Sequence, residues 1–260
     1  MATVGITLKT AEDIPHLRRG GRLLAIILNE LEKVAVVGNT SLDIDDRAME
    51  LLEEYELEPM VLGYQPQFAA YPFPAATCVS VNDEVVHGIP NAEPKVFLDG
   101  DVVSIDLVIG YEGYVLDAAR TVGVGTLDPT DQQLLDVTKT ALKAGIKAAV
   151  PGARISDIGK AIEAVVPKEF AIIRDFCGHG VGYALHEEPQ IPNFYIKGDS
   201  PEIVPGMVLA IEPMIITGTD PDVLIDRDGY TALTASGFNA AHMEHTVLIT
   251  EKGPEVLTVG

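Results

Sequence analysis

The stretch GDVVSIDLVIGYEGYVLDAARTV, residues 100–122, has the composition of an apolar β-hairpin, yet it carries carboxylates at positions expected for core residues. The pair Glu112 and Gly113 is a tight-turn signal between the two apolar runs. If these two residues form the turn, Asp117 lies directly opposite Val108 on the neighbouring strand. The predicted hairpin therefore places the Asp117 carboxylate where a core residue is expected.

Asp106 completes the pattern because it lies two residues from Val108 and so on the same face of the predicted sheet. Asp106 and Asp117 are then diagonal cross-strand neighbours whose side chains converge on one point. Two unpaired anions on a buried face need bound cations or basic partners. The alternative at this stage is a solvated hairpin at the edge of a sheet.

Composition restricts the possible settings for this site. With 260 residues, 47% of them hydrophobic, the chain is long enough for one large domain or two small ones with a sizeable core. Its 18 basic and 39 acidic residues give a net charge of -21, which disfavours nucleic acid or an anionic membrane as a partner. The same charge favours the attraction of cations.

Cysteine use and apolar runs indicate a cytoplasmic protein. Cys78 and Cys177 are too few for a disulfide framework or a thiolate zinc cluster. Residues 1–21 contain no apolar signal segment, and the apolar run 23–37 is interrupted by charged residues before it could span a bilayer. We therefore expect a cytoplasmic location and no membrane association.

Helix and strand signals alternate along the chain. Helix starts are predicted where a Thr precedes an acid or amide by three residues, at Thr10–Asp13, Thr40–Asp43 and Thr130–Gln133. Strands rich in Val and Ile are predicted within residues 77–88, 100–110, 114–125, 170–182, 206–216 and 244–258. Helices followed by strands, twice over, indicate an α+β layer arrangement.

An internal repeat explains this doubling. The sequence from Val36 resembles the sequence from Ala149 when Gly38 is aligned with Gly152, and GDVVSID ending at Asp106 resembles a later segment, GMVLAIE. The matches occur in the same order in both halves. They predict one domain, residues 1–260, built from two related halves at approximately 10–125 and 130–255.

Other ligand-type side chains follow strands in the second half. His179 lies between two glycines, Glu212 ends an apolar strand, and Glu244 begins another strand. With the two aspartates, they form a set of hard oxygen donors and one imidazole. Such a set suits Mn, Fe, Co or Zn in a two-metal site. Paired ions, roughly 3.5 to 4 Å apart, would neutralise the anions and activate a bridging water.

The chain resembles the type I methionine aminopeptidases, a family with the pita-bread fold. The resemblance is carried by LGY (62–64), SVNDEVVHGIP (80–90), GDVVSIDLVIGYEGYVLDAA (100–119), CGHGVGYALHEEPQ (177–190), PGMVLAIEPM (205–214) and EHTVLIT (244–250). It implies two halves related by a pseudo-two-fold axis, with a central curved antiparallel sheet covered by helices.

The resemblance also implies a set of five metal ligands: Asp106, Asp117, His179, Glu212 and Glu244. In this family Asp117 and Glu244 would bridge two divalent ions. Asp106 would complete one coordination shell, and His179 with Glu212 would complete the other. The native metal is left among Co, Mn, Fe and Zn.

Catalytic and pocket residues are implied in the same way. A hydroxide bridging the metals would attack the carbonyl that follows an N-terminal methionine, with Glu212 handling the proton. His87 and His186 would hydrogen bond the scissile amide and the developing oxyanion. Four positions match the lining of the methionine pocket: Tyr64, Phe73, Cys78 and Tyr230.

Three departures from the family pattern concern specificity rather than reaction class. Residues 65–73 form a longer connection than usual. His242 stands two residues before Glu244, where a Gln is usual, and is expected to affect the residues around the metals or the metal preference. Leu185 replaces an aromatic residue before His186 and is expected to widen the pocket.

The resemblance thus implies a cytoplasmic, monomeric, metal-dependent enzyme that removes the initiator methionine when the second residue is small. Its partners would be the N-termini of nascent polypeptides, with transient ribosome contact and no strong nucleic-acid binding. Two alternatives remain at this stage. One is an Xaa-Pro aminopeptidase or prolidase-like peptidase of the same fold, and the other is a non-catalytic pita-bread binding protein.

Overall fold

The computed structural model describes residues 5–67 and 69–260, in which four helices and fifteen strands occur. The helices are α1 (Ile14–Leu31), α2 (Ser41–Glu54), α3 (Pro129–Ala148) and α4 (Ile155–Glu163). The strands are β1 (Glu58–Pro59), β2 (Cys78–Val81), β3 (Glu84–Val86), β4 (Val102–Tyr111), β5 (Tyr114–Gly123), β6 (Phe170–Ile172), β7 (Gly178–Gly180), β8 (Glu187–Ile191), β9 (Val208–Ile211), β10 (Met214–Thr217), β11 (Val223–Ile225), β12 (Ala232–Thr234), β13 (Ala240–His242), β14 (His245–Thr250) and β15 (Gly253–Val256). None of the helices in this part of the chain has the length and apolar character needed to cross a membrane.

The hairpin of β4 and β5 has the register predicted from the sequence. Val108 pairs with Asp117 along the two antiparallel strands. Glu112 and Gly113, at the turn, have φ angles of 51° and 83°. Positive φ at both central residues matches the twist of the flanking strands. The turn therefore sets the position of Asp117, and the predicted register is confirmed.

Strand β4 is the centre of a four-stranded antiparallel sheet. One edge of β4 pairs with β5, and the other pairs with β1 and β2. In this register Asp106 lies between Cys78 on β2 and Ala119 on β5. The solvated edge hairpin is thereby excluded, because Asp106 is on an interior strand.

The second half of the chain forms a five-stranded antiparallel sheet in the order β15-β14-β9-β7-β8. Within it His179 pairs with Ala210, so the histidine lies beside the strand that leads to Glu212. Two three-stranded sheets, β13-β10-β6 and β11-β12-β3, complete the strand arrangement. Strands from distant parts of the sequence thus converge near the hairpin.

Hydrogen bonds to β5 join the two halves. The fully buried Thr246 hydroxyl donates to the Asp117 carbonyl at 2.7 Å and accepts from the Asp117 N–H at 3.0 Å. The N–H of Glu244 donates to the Ala119 carbonyl at 2.9 Å. These bonds fix the start of β14 against β5 and place Glu244 beside Asp117.

Helices cover the sheets and form two main cores. Helix α1 packs on β4 and β5, and α2 packs beside α1, with Leu24 and Leu28 completely buried. Helices α3 and α4 pack together over the second half, where Leu134 and Ile158 are completely buried. These apolar layers hold the strands that carry the polar residues.

One predicted helix start is confirmed and two are displaced. Thr40 caps α2, and its hydroxyl accepts from the Asp43 N–H. In the stretch Thr10–Asp13 the Asp13 carboxylate accepts from the Thr10 N–H at 2.6 Å, as predicted, but Asp13 is the N-cap and α1 begins at Ile14. The start predicted at Thr130 lies two residues after the observed N-cap of α3, which is Asp128. The Asp128 carboxylate accepts from two backbone N–H groups of the first turn of the helix.

The two halves have similar helix starts at the positions aligned in the predicted repeat. Asp43 accepts from the Thr40 N–H at 2.6 Å, and Asp157 accepts from the Arg154 N–H at 2.8 Å. A single domain with a repeat at approximately 10–125 and 130–255 agrees with these starts and stays a prediction.

Gly21→Ala is expected to destabilise the fold by about 2 kcal/mol, since overpacking typically costs about 1–3 kcal/mol. A Cβ on Gly21 would lie 2.5 Å from the carbonyl oxygen of Leu257, which is backbone and cannot rotate away. In the matched control Gly145→Ala, the Cβ would meet the flexible end of Ile162 at 3.0 Å, and the change should cost less than about 1 kcal/mol because Ala favours helix. Urea denaturation of both variants tests this, and equal stability of the two would contradict it.

Candidate metal centre

Five side chains from five elements converge between the two halves. Asp106 lies on β4, Asp117 on β5 and His179 on β7, while Glu212 follows β9 and Glu244 precedes β14. The Nε2 atom of His179 is 3.4 Å from Glu212 Oε1 and 3.8 Å from Asp117 Oδ2. Donor atoms of Asp117, His179 and Glu244 lie within 4.8 Å of one another. Asp106 and Glu244 are each within hydrogen-bonding reach of Asp117.

The four carboxyl groups lie close together, with Asp117 and Glu244 buried and Asp106 and Glu212 partly buried. Burial, followed by the charges of neighbouring carboxylates, raises the pKa of Asp117 and of Glu244 well above their ordinary values. Burial raises the pKa of Asp106 to about 6 and that of Glu212 to about 7. Their ion-pair contacts within residues 5–67 and 69–260 involve only histidines, so lysine or arginine does not balance the charge.

The donor set fits divalent cations. Oδ1 of Asp106, Oδ1 of Asp117 and Oε1 of Glu244 are buried and have no hydrogen-bond partner among the described residues. Buried polar atoms in native proteins are otherwise almost always paired. His179 Nδ1 donates to the Gly180 carbonyl at 2.9 Å, which leaves Nε2 with the lone pair that a metal requires. Oxygen donors with imidazole suit Mn, Fe, Co or Zn.

The glycines on either side of His179 allow its strand to lie close to its neighbours. A Cβ on Gly178 would overlap the carbonyl oxygen of Ala210, and one on Gly180 would overlap the carbonyl oxygen of Glu188. Only residues without a Cβ fit there. The GHG sequence therefore has a steric reason and holds the imidazole close to Glu212.

Both predicted catalytic histidines lie near the cluster. The ring of His186 is exposed, with its centroid 4.6 Å from that of His179 and 6.0 Å from that of Tyr64. His87 packs edge-on against Phe176 and has a φ angle of 61°, an uncommon conformation for a residue with a side chain. Burial, with smaller contributions from neighbouring histidines, lowers the pKa of His87 to about 4, so its ring is neutral at physiological pH.

Three of the four predicted pocket residues share a small apolar cluster. Phe73, Cys78 and Tyr230 are buried together, and the rings of Phe73 and Tyr230 meet edge to face at 5.2 Å. Cys78 pairs in register with Asp106, so the cluster adjoins the carboxylates. Burial raises the pKa of the Cys78 thiol well above its ordinary value, which favours the thiol as a small hydrophobe. Tyr64 is 40% exposed and lies outside this cluster, beside His186.

The described residues of segment 65–73 form a loop that is closed at its base. The Gly63 N–H donates to the Phe73 carbonyl, and the Phe73 N–H donates to the Tyr64 carbonyl, both at 2.8 Å. Residue 68 lies outside the described residues. Phe73 therefore reaches the pocket despite the longer connection, which the sequence could not establish.

The structure adds contacts near the site for two residues, His242 and Tyr71. His242 was expected to affect the residues around the metals or the metal preference, and its Nε2 lies 3.5 Å from Glu212 Oε2 and 3.9 Å from Glu244 Oε2. Tyr71 was missed, although its ring meets that of Tyr230 at 5.3 Å. An aromatic residue in a loop gives no sequence signal of such a contact. Leu185 packs partly buried against the first core.

Comparisons with known proteins agree with this geometry. The sequence matches metallopeptidase family M24 over residues 15–251. It is 42% identical to a methionine aminopeptidase of Aquifex aeolicus, covering 98% of this chain and 99% of the relative, and 40% identical to methionine aminopeptidase 1 of Bacillus subtilis, covering 97% and 99%. The crystal structure of the methionine aminopeptidase from Thermotoga maritima matches with a TM-score of 0.90 and 42% identity, covering 98% of this chain and all of that one. A prolidase from Pyrococcus furiosus matches with a TM-score of 0.73 and 23% identity, covering 97% of this chain and 65% of that one, which shows a shared fold alone.

Metal-stripped wild-type protein is expected to lose stability relative to Glu212→Gln as the pH rises from about 4.5 to 7. In this range unfolded Glu212 has released its proton, whereas burial keeps the folded group protonated because its pKa is raised to about 7. The folded state therefore binds more protons, and stability falls with pH by on the order of 2 kcal/mol in total. Titrating groups distant from Glu212 cancel in the difference between the two proteins. The repulsion between ionised Glu212 and the carboxylates of Asp106, Asp117 and Glu244 is present only in the wild type and adds to the loss of stability in the same direction.

Urea denaturation from pH 4.5 to 8 measures this difference. The exposed Glu251→Gln, at the turn between β14 and β15, is the matched control and should show a difference that does not vary with pH. A pH-independent difference for Glu212→Gln would contradict the burial argument.

Proposed function

The chain belongs to metallopeptidase family M24, among the type I methionine aminopeptidases, and we propose that its buried carboxylate and histidine cluster is the metal centre that removes N-terminal methionine from polypeptides. Its fold is the pita-bread fold expected from the sequence. The observation that carries the proposal is the set of buried carboxylate oxygens without partners beside an apolar pocket.

Five residues would hold two divalent ions: Asp106, Asp117, His179, Glu212 and Glu244. Asp117 suits a shared ligand because both Asp106 and Glu244 reach its carboxylate. Glu244 suits the same role through its position between Asp117 and His242. When bound, such ions polarise a carbonyl and lower the pKa of a coordinated water.

The apolar cluster would bind the methionine side chain. Phe73 and Tyr230 present ring edges and faces, and Cys78 adds a small apolar group. A thioether makes favourable contacts with aromatic rings, and burying a methionine side chain contributes roughly 1.5–3 kcal/mol. Because Cys78 is paired in register with Asp106, a bound side chain here would direct the following peptide bond toward the carboxylates.

Proton transfer and charge stabilisation would use three further positions. The pKa of Glu212, raised to about 7 by burial, suits reversible proton transfer near neutral pH. Neutral His87 and His186 each offer a ring N–H that can donate to the scissile amide or the developing oxyanion. The ring centroids of Tyr64 and His186 lie 6.0 Å apart, and we infer that these two rings limit the size of the second residue.

The cellular setting follows from the substrate. We infer that the enzyme acts in the cytoplasm as a monomer on nascent polypeptides, with transient ribosome contact. The net charge of -21 opposes strong binding to ribosomal RNA, so contact would be brief. Co, Mn, Fe and Zn are the candidate metals.

Metal-stripped protein supplied with Mn, Fe, Co or Zn is expected to release methionine from Met-Gly-Ser but not from Met-Lys-Ser. Asp117→Ala should lower this activity by more than about a thousandfold, because it removes the carboxylate central to the cluster. Free methionine is measured by chromatography for each metal.

The same assay includes Ala-Pro-Ser. Cleavage of that peptide in place of Met-Gly-Ser would move the assignment to the proline-specific peptidases, with which the chain shares its fold. Absence of turnover with every metal would leave the non-catalytic binding protein as the explanation.

His87→Ala and His186→Ala are each expected to lower kcat by about 10²–10³, the typical loss for one donor to a developing oxyanion. Both should bind metal as the wild type does, because neither ring is among the five expected ligands. Isothermal titration with metal and steady-state kinetics separate the two effects. The control His16→Ala changes an exposed histidine of α1 and should leave kcat unchanged. Loss of metal binding in either catalytic variant would contradict the assigned roles.

A further inference from the structure

A buried lysine lies beside the turn that carries His186. The Lys9 side chain is 1% exposed, and its Nζ is 2.5 Å from Glu187 Oε2, next in sequence to His186. The Thr7 hydroxyl accepts from Lys9 at 3.0 Å and also contacts Glu187. Lysine is almost never so buried unless it is paired, so this contact is specific.

Glu187 uses its other oxygen to close the turn. Its Oε1 accepts from the N–H of Tyr183 at 2.6 Å and from the N–H of Ala184 at 3.0 Å. One carboxylate therefore orders the backbone on the N-terminal side of His186 and binds Lys9 as well. The described contacts include no hydrogen bond to the exposed ring of His186. The position of the ring therefore depends on this turn.

A second contact ties the same turn to the start of α1. The Tyr183 hydroxyl donates to Asp13 Oδ2 at 2.5 Å, and the Tyr114 hydroxyl donates to Asp13 Oδ1 at 2.7 Å. The Lys9 ammonium also lies 4.9 Å from the centre of the Tyr183 ring. Residues 5–13, here called the N-terminal strap, therefore hold the turn at two points.

The strap is itself fixed to the second half of the fold. The Lys9 N–H donates to the Gly206 carbonyl at 2.7 Å, and Ile6 forms a parallel bridge with Glu188. Lys9 occupies space that is open only because residue 182 is glycine, since a Cβ there would overlap the lysine side chain. Chain packing and charge thus both specify the position of the ammonium group.

We propose that Lys9 is a positioning residue of the reaction, which acts through Glu187 to hold His186 at the metal centre. The inference rests on the proposed function, because it requires His186 to act on the substrate. Replacing Lys9 by a neutral residue leaves Glu187 buried without its cation and loosens the turn. The His186 ring then spends less time beside His179, and turnover falls while the metal ligands stay in place.

A double-mutant cycle of Lys9→Met and His186→Ala tests this on the metal-loaded enzyme with Met-Gly-Ser. Lys9→Met alone should lower kcat by about 10- to 100-fold, the range expected for a catalytic group misplaced by about 1 Å. In the His186→Ala background the same change should lower kcat less than about twofold, since the group that it positions is gone. Lys9→Arg, which keeps the charge, should restore part of the loss, and metal stoichiometry should equal that of the wild type.

The control is Arg18→Met, which breaks the exposed ion pair of α1 with Glu255 and should not change kcat. If Lys9→Met fails to fold, Tyr183→Phe removes only the hydroxyl that Asp13 binds, and it should show the same suppression in the His186→Ala background.

The proposal would be overturned if Lys9→Met lowered kcat by the same factor in the wild-type and the His186→Ala backgrounds. The same holds for Tyr183→Phe if that variant is used. Full activity of His186→Ala would also overturn it. Failure of the wild type to release methionine from any Met peptide would instead overturn the proposed function, which keeps the two failures distinct.

Discussion

The mutual repulsion of four clustered carboxylates is the constraint on which the rest of the structure depends. Asp106, Asp117, Glu212 and Glu244 lie together, and burial raises the pKa of each. The charges of neighbouring carboxylates raise the pKa of Asp106, Asp117 and Glu244 further. Side chains alone could not hold such a cluster, because each would turn toward solvent if its backbone were free. The main chain must therefore resist the repulsion, and the antiparallel sheets of both halves supply that resistance through paired backbone hydrogen bonds.

The junction between the halves is where that resistance is concentrated. Thr246 exchanges two hydrogen bonds with the backbone of Asp117, and the Glu244 N–H bonds to the Ala119 carbonyl. Both contacts use backbone atoms of residues next to or within the cluster. The carboxylates are consequently fixed before any cation binds, and little reorganisation is required on binding.

Local rules explain why the hairpin was predictable and the long-range contacts of Asp13 were not. The turn at residues 112–113 and the alternation of β4 and β5 are encoded within a short stretch, so register and carboxylate placement follow from them. Glu212, Glu244 and His179 were placed by the repeat and the family resemblance. Asp13 accepts from the nearby Thr10 N–H, as its local pattern predicts, but it is also held by Tyr183 and Tyr114, far along the chain. His242 reaches Glu212 across sheets. Contacts between residues so far apart in the sequence arise from tertiary packing, and the spacing of residues along the chain does not predict them.

The expected ligands and the catalytic histidines are supported in different ways. Asp106, Asp117 and His179 lie within paired strands, whereas His87 directly follows β3 and His186 directly precedes β8, both outside the strands. A strand residue keeps its position through many backbone bonds, so the loss of one distant side chain changes it little. A residue outside the strands depends on a few side-chain contacts, such as the Glu187 carboxylate beside His186. Metal affinity and turnover are therefore separable properties of this fold, because different kinds of bond determine them.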